Sequence, residues 1–286
     1  MSRIPEALKK MRVQQDLGVE TQAKKVGRPQ VLPEDLLDLA DSLEEGTRVG
    51  CRRERWDLQE SIVTRGHSKD RIIAVEELRK LGAWLLQRQR ATSQKTLLVT
   101  SGMPKEGKTF LATNLAWIMA QSKNQKVLLI DADLRCSSAH LMLGAPGVPG
   151  LAEFLEGKAE ESQILQQGPL SNFFFIPSGH CPENPVELLT TTALKKFIAR
   201  LSTQFDWIIV DSSPVGSICD AQLIAPFMDG ILLVIGAGAS SAEIAVRARD
   251  LLADMGLLGV ILNYVDPREA YSSYYYRAYM GKRSKE

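Results

Sequence analysis

The sequence predicts an α/β protein built on a doubly wound, mainly parallel sheet, and three observations support this prediction. From Lys95 onward, short apolar runs alternate with segments of helical periodicity, which is typical of parallel strands covered by helices. A loop ending in glycine, lysine and threonine follows the first apolar run. Two later runs end in aspartate. Because open α/β sheets bind ligands at the carboxyl ends of their strands, we expect the loops after these strands to carry the chemistry.

The first part of the chain, residues 1–69, is predicted to form a helical and partly flexible extension. Its opening residues have apolar side chains at helical spacing, and the polar segment 12–32 contains Gly and Pro and is typical of a linker. A second helix is expected to begin near Pro33. The main domain is predicted to span residues 70–265 and to open with an amphipathic helix from Asp70 to Arg90.

Within that domain, six apolar runs are predicted as strands. They read TLLVT, KVLLID, FFFIP, WIIVD, GILLVI and GVILNYV. Helical stretches are expected between them at residues 108–121, 185–202, 220–227 and 240–254. The remaining segment, 266–286, has few aliphatic residues and many charges, so it is predicted to be a disordered tail.

Composition excludes several classes of protein. The 286 residues include 35 Lys+Arg and 34 Asp+Glu, and this net charge of +1 gives no reason to expect nucleic acid as a partner. The four cysteines are scattered without a CxxC pair, which favours a reduced cytosolic protein over a zinc site or a disulfide framework. No run reaches the roughly 18 apolar residues of a membrane span. If the protein works at a membrane, a partner must recruit it.

The loop after the first strand, SGMPKEGKTF, matches the pattern G-x-x-x-x-G-K-[ST]. An ordinary strand-to-helix turn is the alternative, but the flanking strand and helix stand where a phosphate loop needs them. Lys108 could reach the β and γ phosphates, and Thr109 could hold Mg²⁺. The candidate nucleotide-binding residues of this segment are Gly102, Met103, Pro104, Lys105, Glu106, Gly107, Lys108, Thr109 and Phe110.

Three aspartates follow neighbouring predicted strands. Asp131 and Asp133 lie in VLLIDADLR, and Asp211 ends WIIVD. Each one alone could be a helix N-cap or a turn residue. Beside a phosphate loop, however, carboxylates at strand ends can bind the Mg²⁺ that accompanies ATP. Three carboxylates are more than nucleotide storage requires, so one is expected to act as a base toward an acceptor hydroxyl.

The order and spacing of these motifs resemble the bacterial tyrosine kinases of capsule and exopolysaccharide synthesis. These kinases are a branch of the P-loop ATPases that also includes ParA and MinD. The resemblance covers about residues 70–286 and rests on PKEGKT, VLLIDADLR, IPSGHCPENPVELL, FDWIIVDSSPVGSICDA and DGILLVI. It implies that Lys108 binds phosphate, that Thr109 and Asp211 serve Mg²⁺, and that Asp131 and Asp133 share the metal and base roles.

The same resemblance adds residues outside the loop to the nucleotide site. Arg135 ends the second motif and is assigned to nucleotide binding, as is Asn263 at the end of the last strand. Asn263 resembles the position that contacts adenine in this superfamily, although an Asn ending a strand is also common turn chemistry. Both interpretations of Asn263 stay open at this point.

All six tyrosines of the chain lie between residues 264 and 279. The family ends in a tyrosine cluster that is its own substrate, whereas Tyr264 is assigned to the final strand and is not expected to be an acceptor. A tail that extends on the order of 60 Å could enter its own site or that of a neighbour. The predicted autophosphorylation sites are Tyr271, Tyr274, Tyr275, Tyr276 and Tyr279.

The resemblance also implies partners. It predicts a homo-oligomer, a cognate phosphotyrosine phosphatase, and a membrane-anchored, Wzz-like regulator of polysaccharide chain length that activates the kinase. The protein is then expected to be cytoplasmic and recruited to the inner face of the cell membrane. Trp84, on the first helix of the domain, is the side chain we expect at a subunit contact.

The chain departs from the family pattern at three places. Lys105 stands where the family usually has Gly, and Ser213 precedes the proline of a motif that usually reads Asp-x-Pro-Pro. The E-x-x-R-x-x-R motif of ring assembly retains Glu76 and Arg79 but has Gly82 in its last place.

Two other functions remain alternatives to a kinase. One is an ATPase switch of the ParA/MinD kind, which would have lysine directly after the first loop glycine, where Met103 stands. The other is a regulator that binds nucleotide without catalysis and would tolerate loss of the three aspartates, all of which are present.

Overall fold

Eight strands form one sheet in the part of the chain that the computed structural model describes, which is residues 50–53, 56–58, 69–122 and 124–266. The strands are β1 (Arg52–Arg53), β2 (Thr96–Ser101), β3 (Val127–Asp131), β4 (Gln166–Gln167), β5 (Phe173–Ile176), β6 (Trp207–Asp211), β7 (Gly230–Gly236) and β8 (Leu257–Asn263). Their order in the sheet is β1-β4-β5-β3-β6-β2-β7-β8. All pairs are parallel except β4 with β5. The predicted fold class is therefore confirmed.

Helices cover both faces of the sheet. They are α1 (Lys69–Thr92), α2 (Lys108–Ala120), α3 (Ala139–Leu143), α4 (Leu151–Leu155), α5 (Glu161–Ile164), α6 (Pro185–Leu189), α7 (Thr192–Leu201), α8 (Asp220–Ile224) and α9 (Ala242–Leu252). Strand side chains alternate between two cores. Leu97 and Val99 pack with α1, α2 and α3, while Leu98 packs on the side of α4 to α9. Helix α2 is buried nearly all round because it lies between the sheet and α1.

The six predicted strands are all present, and the elements that the sequence did not predict are all short. Strands β1 and β4 have two residues each, and α3, α4 and α5 have five or fewer, which is too short to establish a period. The predicted helix over 185–202 is two helices, because Thr191 caps α7 by accepting a hydrogen bond from the Leu194 N–H. The placement of Tyr264 in the last strand was wrong, since β8 ends at Asn263.

Some of the predicted N-terminal extension packs against the domain. Arg52 and Arg53 pair with β4, and the buried Trp56 makes edge-to-face contacts with Phe173 at 5.6 Å and Phe175 at 5.9 Å between ring centroids. The two helices predicted before Gly50 lie outside the described residues. Among the described helices, none is long and apolar enough to cross a membrane.

Helix α1 carries the departure in the assembly motif. Glu76 and Arg79 form an exposed ion pair of 3.8 Å, whereas Gly82 lies on the buried face, and a Cβ there would be 3.4 Å from the Met119 side chain. A longer side chain at position 82 would have to extend between α1 and α2. Trp84 is 39% exposed, and the Arg88 guanidinium lies 5.8 Å from its ring centroid.

Candidate nucleotide-binding and catalytic site

The phosphate loop joins β2 to α2 and begins where β2 leaves the sheet. Two of its residues have left-handed backbone angles, Gly107 with φ 92° and Lys105 with φ 67°. Lysine therefore adopts, at position 105, a conformation that glycine would adopt more readily. The side chain of Lys105 is exposed.

The carboxylate of Glu106 fixes the loop from inside. Glu106 is 1% exposed, and its oxygens accept hydrogen bonds from the Met103 N–H at 2.7 Å, the Gly236 N–H at 3.0 Å and the Ser240 hydroxyl at 2.6 Å. Its side chain thus bonds to protein groups, so any contact with nucleotide would come from its backbone. The loop is thereby tied to the end of β7.

Sheet order brings the predicted acidic residues to the loop. Strand β6 lies between β2 and β3, and Asp131 and Asp211 are register partners at the ends of β3 and β6. Lys108, the first residue of α2, points at these strand ends. Its Nζ lies 2.7 Å from Oδ2 of Asp133 and 3.8 Å from Oδ2 of Asp211. Thr109 also belongs to the cluster, with its hydroxyl 3.1 Å from the same Nζ.

The three carboxylates differ in what already binds them. Asp131 accepts hydrogen bonds from the Ser137 hydroxyl at 2.9 Å and from the N–H groups of Ala139 at 3.2 Å and Asp133 at 3.1 Å. Asp133 accepts from the Cys136 N–H through one oxygen and binds Lys108 through the other. The hydrogen bonds that Asp131 accepts join three residues of the turn after β3.

Asp211 is fully buried, and its oxygens have no hydrogen-bond partner among the described residues. Burial raises the pKa of this carboxyl to about 7, although the Lys108 ammonium opposes the shift. Burial also raises the pKa of Asp131, against the Ser137 hydrogen bond. Burial alone would lower the pKa of Lys108, but the charges of Asp211 and Asp133 outweigh it and raise that pKa. The Asp211 carboxylate is buried, lies beside the Thr109 hydroxyl and has Lys108 Nζ 3.8 Å from Oδ2, and such an oxygen ligand suits a hard cation such as Mg²⁺.

Arg135 and Ser213 meet at one buried acid that the sequence did not single out. Asp220 is 0% exposed and accepts hydrogen bonds from Arg135 Nε at 2.7 Å and Nη2 at 3.1 Å, and from the Ser213 hydroxyl at 3.1 Å. The hydrogen bond to Asp220 raises the pKa of Arg135. Asp220 thus fixes Arg135 at the end of the second motif, and the hydroxyl of Ser213 contributes to that fixation.

The remaining predicted residues are divided between the loop and the core. Asn263 reaches the loop, where its Nδ2 donates to the Glu106 carbonyl at 2.9 Å. Tyr264 also reaches it and donates its hydroxyl to the Lys105 carbonyl at 3.1 Å, a contact that the sequence did not predict. Phe110, in the first turn of α2, is partly buried against the core. The five tyrosines predicted as acceptors lie outside the described residues.

Comparisons with known proteins identify the family to which this chain is similar. Residues 97–280 match the family model of the CobQ/CobB/MinD/ParA nucleotide binding domain. The chain is 36% identical to the tyrosine-protein kinase YwqD of Bacillus subtilis over 171 residues, which cover 59% of this chain and 72% of YwqD. It is 35% identical to the tyrosine-protein kinase CpsD of Streptococcus agalactiae over 195 residues, which cover 67% of this chain and 84% of CpsD.

A solved structure is also similar. The kinase domain of Escherichia coli tyrosine kinase ETK superimposes with a TM-score of 0.65 at 33% sequence identity. The match covers 70% of this chain and 78% of that one.

Proposed function

Because this chain belongs to the bacterial tyrosine kinases within the CobQ/CobB/MinD/ParA nucleotide-binding family, we propose that it transfers the γ phosphate of MgATP to the tyrosines of its own C-terminal tail. One observation carries the proposal. Lys108 lies between Asp133 and Asp211, at 2.7 and 3.8 Å. A phosphate bound by Lys108 would therefore lie beside both a proton acceptor and a metal ligand.

Binding of ATP changes the partner of Lys108. The ammonium is paired with Asp133, and phosphate oxygens would compete for the same charge. When Lys108 turns to the phosphate, Oδ2 of Asp133 loses its partner and becomes available as a base. Mg²⁺, when bound, would be held by Asp211 and Thr109 and would offset the phosphate charge.

Asp133 is the base that the hydrogen bonds favour over Asp131. Both oxygens of Asp131 already accept bonds that shape the turn, whereas one oxygen of Asp133 faces Lys108. In the transfer, the tyrosine oxygen forms a bond to the γ phosphorus as the bond to the β–γ bridging oxygen breaks, and the phenolic proton passes to Asp133. Because a phenol has a pKa of about 10, that proton is expected to leave late.

The tail supplies the acceptors, which we place in the site of a neighbouring copy. Residues 266–286 can extend on the order of 60 Å, enough to cross to an adjacent subunit. Each phosphate adds about −1.5 to −2 charge, so a fully modified tail would be repelled by the acidic site. Phosphorylation would thus loosen the homo-oligomer, and a phosphatase would restore it.

The biological role that follows is control of capsule or exopolysaccharide polymerisation and export. We propose that a membrane-anchored, Wzz-like chain-length regulator recruits this cytoplasmic chain to the inner face of the membrane and activates it. The similarity to relatives named as tyrosine-protein kinases supports the proposed phosphoryl transfer. We expect a recruiting partner because no run of this sequence is apolar enough to span a membrane.

The test is a phosphorylation assay with purified protein and MgATP, followed by phosphotyrosine mapping by mass spectrometry. We expect phosphate on Tyr271, Tyr274, Tyr275, Tyr276 and Tyr279. Lys108→Met should remove it, and a variant with all five tail tyrosines changed to Phe is the matched control. Release of ADP without any phosphotyrosine would refute the proposal in favour of an ATPase switch.

A mixing experiment separates transfer within one chain from transfer between chains. The Lys108→Met chain serves as acceptor, and an active chain ending at Asp266 serves as donor. Phosphotyrosine on the Lys108→Met chain indicates transfer between chains, and an unlabelled acceptor beside an active full-length control contradicts it.

A further inference from the structure

Strained backbone is concentrated at one contact of the site. Among the described residues, three that are not glycine have positive φ: Ser93 at 57°, Lys105 at 67° and Tyr264 at 60°. Two of the three are bonded to each other, because the Tyr264 hydroxyl donates to the Lys105 carbonyl at 3.1 Å. A left-handed residue with a side chain is disfavoured and persists only where its surroundings hold it.

Asn263 and Tyr264 together hold two successive carbonyls of the phosphate loop. Asn263 Nδ2 donates to the Glu106 carbonyl at 2.9 Å, next to the bond from Tyr264 to Lys105. Asn263 is itself fixed, since its own carbonyl accepts from the Ala237 N–H at 2.8 Å. The two side chains leave no space over the loop, where a Cβ on Gly107 would lie 2.1 Å from Asn263 Nδ2.

Holding these carbonyls sets the direction of the loop N–H groups. The C=O and N–H of a trans peptide group point in opposite directions. A Lys105 carbonyl turned toward Tyr264 therefore turns the Glu106 N–H the other way, and the bond from Asn263 does the same for the Gly107 N–H. Successive N–H groups on one side of a loop form the concave cradle that binds phosphate.

We propose that Tyr264 is a positioning residue for nucleotide binding, whose hydroxyl holds the strained Lys105 peptide so that the loop N–H groups face the phosphates. The inference deepens the proposed function, because the tail that supplies the acceptors starts just after this bond. A tail drawn into a neighbouring site would pull on Tyr264 and so alter the affinity of its own loop for nucleotide.

Tyr264→Phe is a narrow test because it removes one hydroxyl. The residue is 59% exposed, so the change leaves no buried cavity. One hydrogen bond of this kind corresponds to roughly a 2- to 10-fold change in an equilibrium constant. We expect Tyr264→Phe to weaken MgADP binding by that factor with an unchanged melting temperature. Thr203→Val is the matched control, because it removes an exposed hydroxyl that donates to the Arg200 carbonyl, and it should leave the affinity unchanged.

A double-mutant cycle distinguishes positioning from a general loss of packing. Calorimetric titration with MgADP is run on the native chain, Tyr264→Phe, Lys105→Gly and the double variant. Because glycine adopts the left-handed conformation without strain, Tyr264→Phe should cost less affinity when Lys105→Gly is also present. An unchanged affinity in Tyr264→Phe, or an equal loss with and without Lys105→Gly, overturns the inference.

MgADP offers no phosphate to transfer, so this series is independent of catalysis. Absence of tail phosphotyrosine in the native chain would refute the proposed kinase reaction and leave the binding series interpretable. Conversely, phosphotyrosine on the tail with MgADP affinity insensitive to Tyr264→Phe would refute only the positioning role.

Discussion

Replacing Asp211 with Asn tests whether this buried carboxylate is kept for a metal at a cost in stability. The side chain is fully buried without a hydrogen-bond partner among the described residues, and burial raises its pKa from 3.8 to about 7. Because the folded state binds this proton more tightly than the unfolded state, Asp211 makes the protein progressively less stable as pH rises from about 4 to about 7. Below about pH 4 both states are protonated and the penalty disappears.

The size of the effect follows from the shift in pKa. The difference between 3.8 and about 7 corresponds to a penalty of at most about 4 kcal/mol at pH 8. Asn has nearly the same shape and no charge. Without metal, Asp211→Asn should therefore be more stable than the native chain at pH 8, by about 2–4 kcal/mol, with a smaller gain at pH 5.

Urea unfolding in EDTA at pH 5 and pH 8 measures both values. The control is Asp254→Asn, at an exposed position just before the start of β8. Its difference in unfolding free energy from the native chain should be the same at both pH values. The same Asp211→Asn protein should lose the dependence of ADP binding on Mg²⁺. A variant less stable than the native chain at pH 8, or a gain that is equal at both pH values, would refute the reasoning.

Three further substitutions test the contacts around the loop. Lys105→Gly should raise the free energy of unfolding, measured with urea, by about 1 kcal/mol, because glycine adopts a φ of 67° without strain. A loss of stability would show that the Lys105 backbone is not strained. Glu106→Gln should lower the free energy of unfolding by about 1–3 kcal/mol and weaken MgADP binding, because an amide accepts hydrogen bonds through one oxygen only. Ser240→Ala removes only one of the three hydrogen bonds and should lower the free energy of unfolding by less. Ser213→Ala should lower the free energy of unfolding by about 1 kcal/mol and leave kinase activity measurable, because only one of the three hydrogen bonds to Asp220 is lost. Loss of kinase activity would instead assign Ser213 to the phosphoryl transfer.

The sheet and the phosphate loop could be predicted because their information is local. Five-residue apolar runs such as WIIVD are fully buried strands, and the loop pattern lies in eight consecutive residues. Parallel strands then bring Asp131 and Asp211 to one edge without any further information.

The contacts that organise the site could not be predicted, because they join residues far apart in the chain. Glu106 bonds to Gly236, 130 residues away, and Tyr264 to Lys105, 159 residues away. The sequence pattern places Glu106 in a phosphate-binding loop but does not show that its carboxylate turns inward. Asn263 was the one residue near the end of β8 that the sequence assigned to the nucleotide site. It does reach the phosphate loop, and so does Tyr264, the residue after it.

A hydrogen bond to another part of the chain accompanies each of the two departures from the family pattern at the site. Lys105 keeps the left-handed conformation of a glycine and has Tyr264 bonded to its carbonyl, and Ser213 replaces a proline and donates its hydroxyl to Asp220. The contacts of Lys108 with Asp133 and Asp211 involve neither of these side chains. Catalysis is therefore expected to survive both departures, while nucleotide affinity should depend on the contacts that compensate for them. The Lys105→Gly and Tyr264→Phe variants measure that dependence directly.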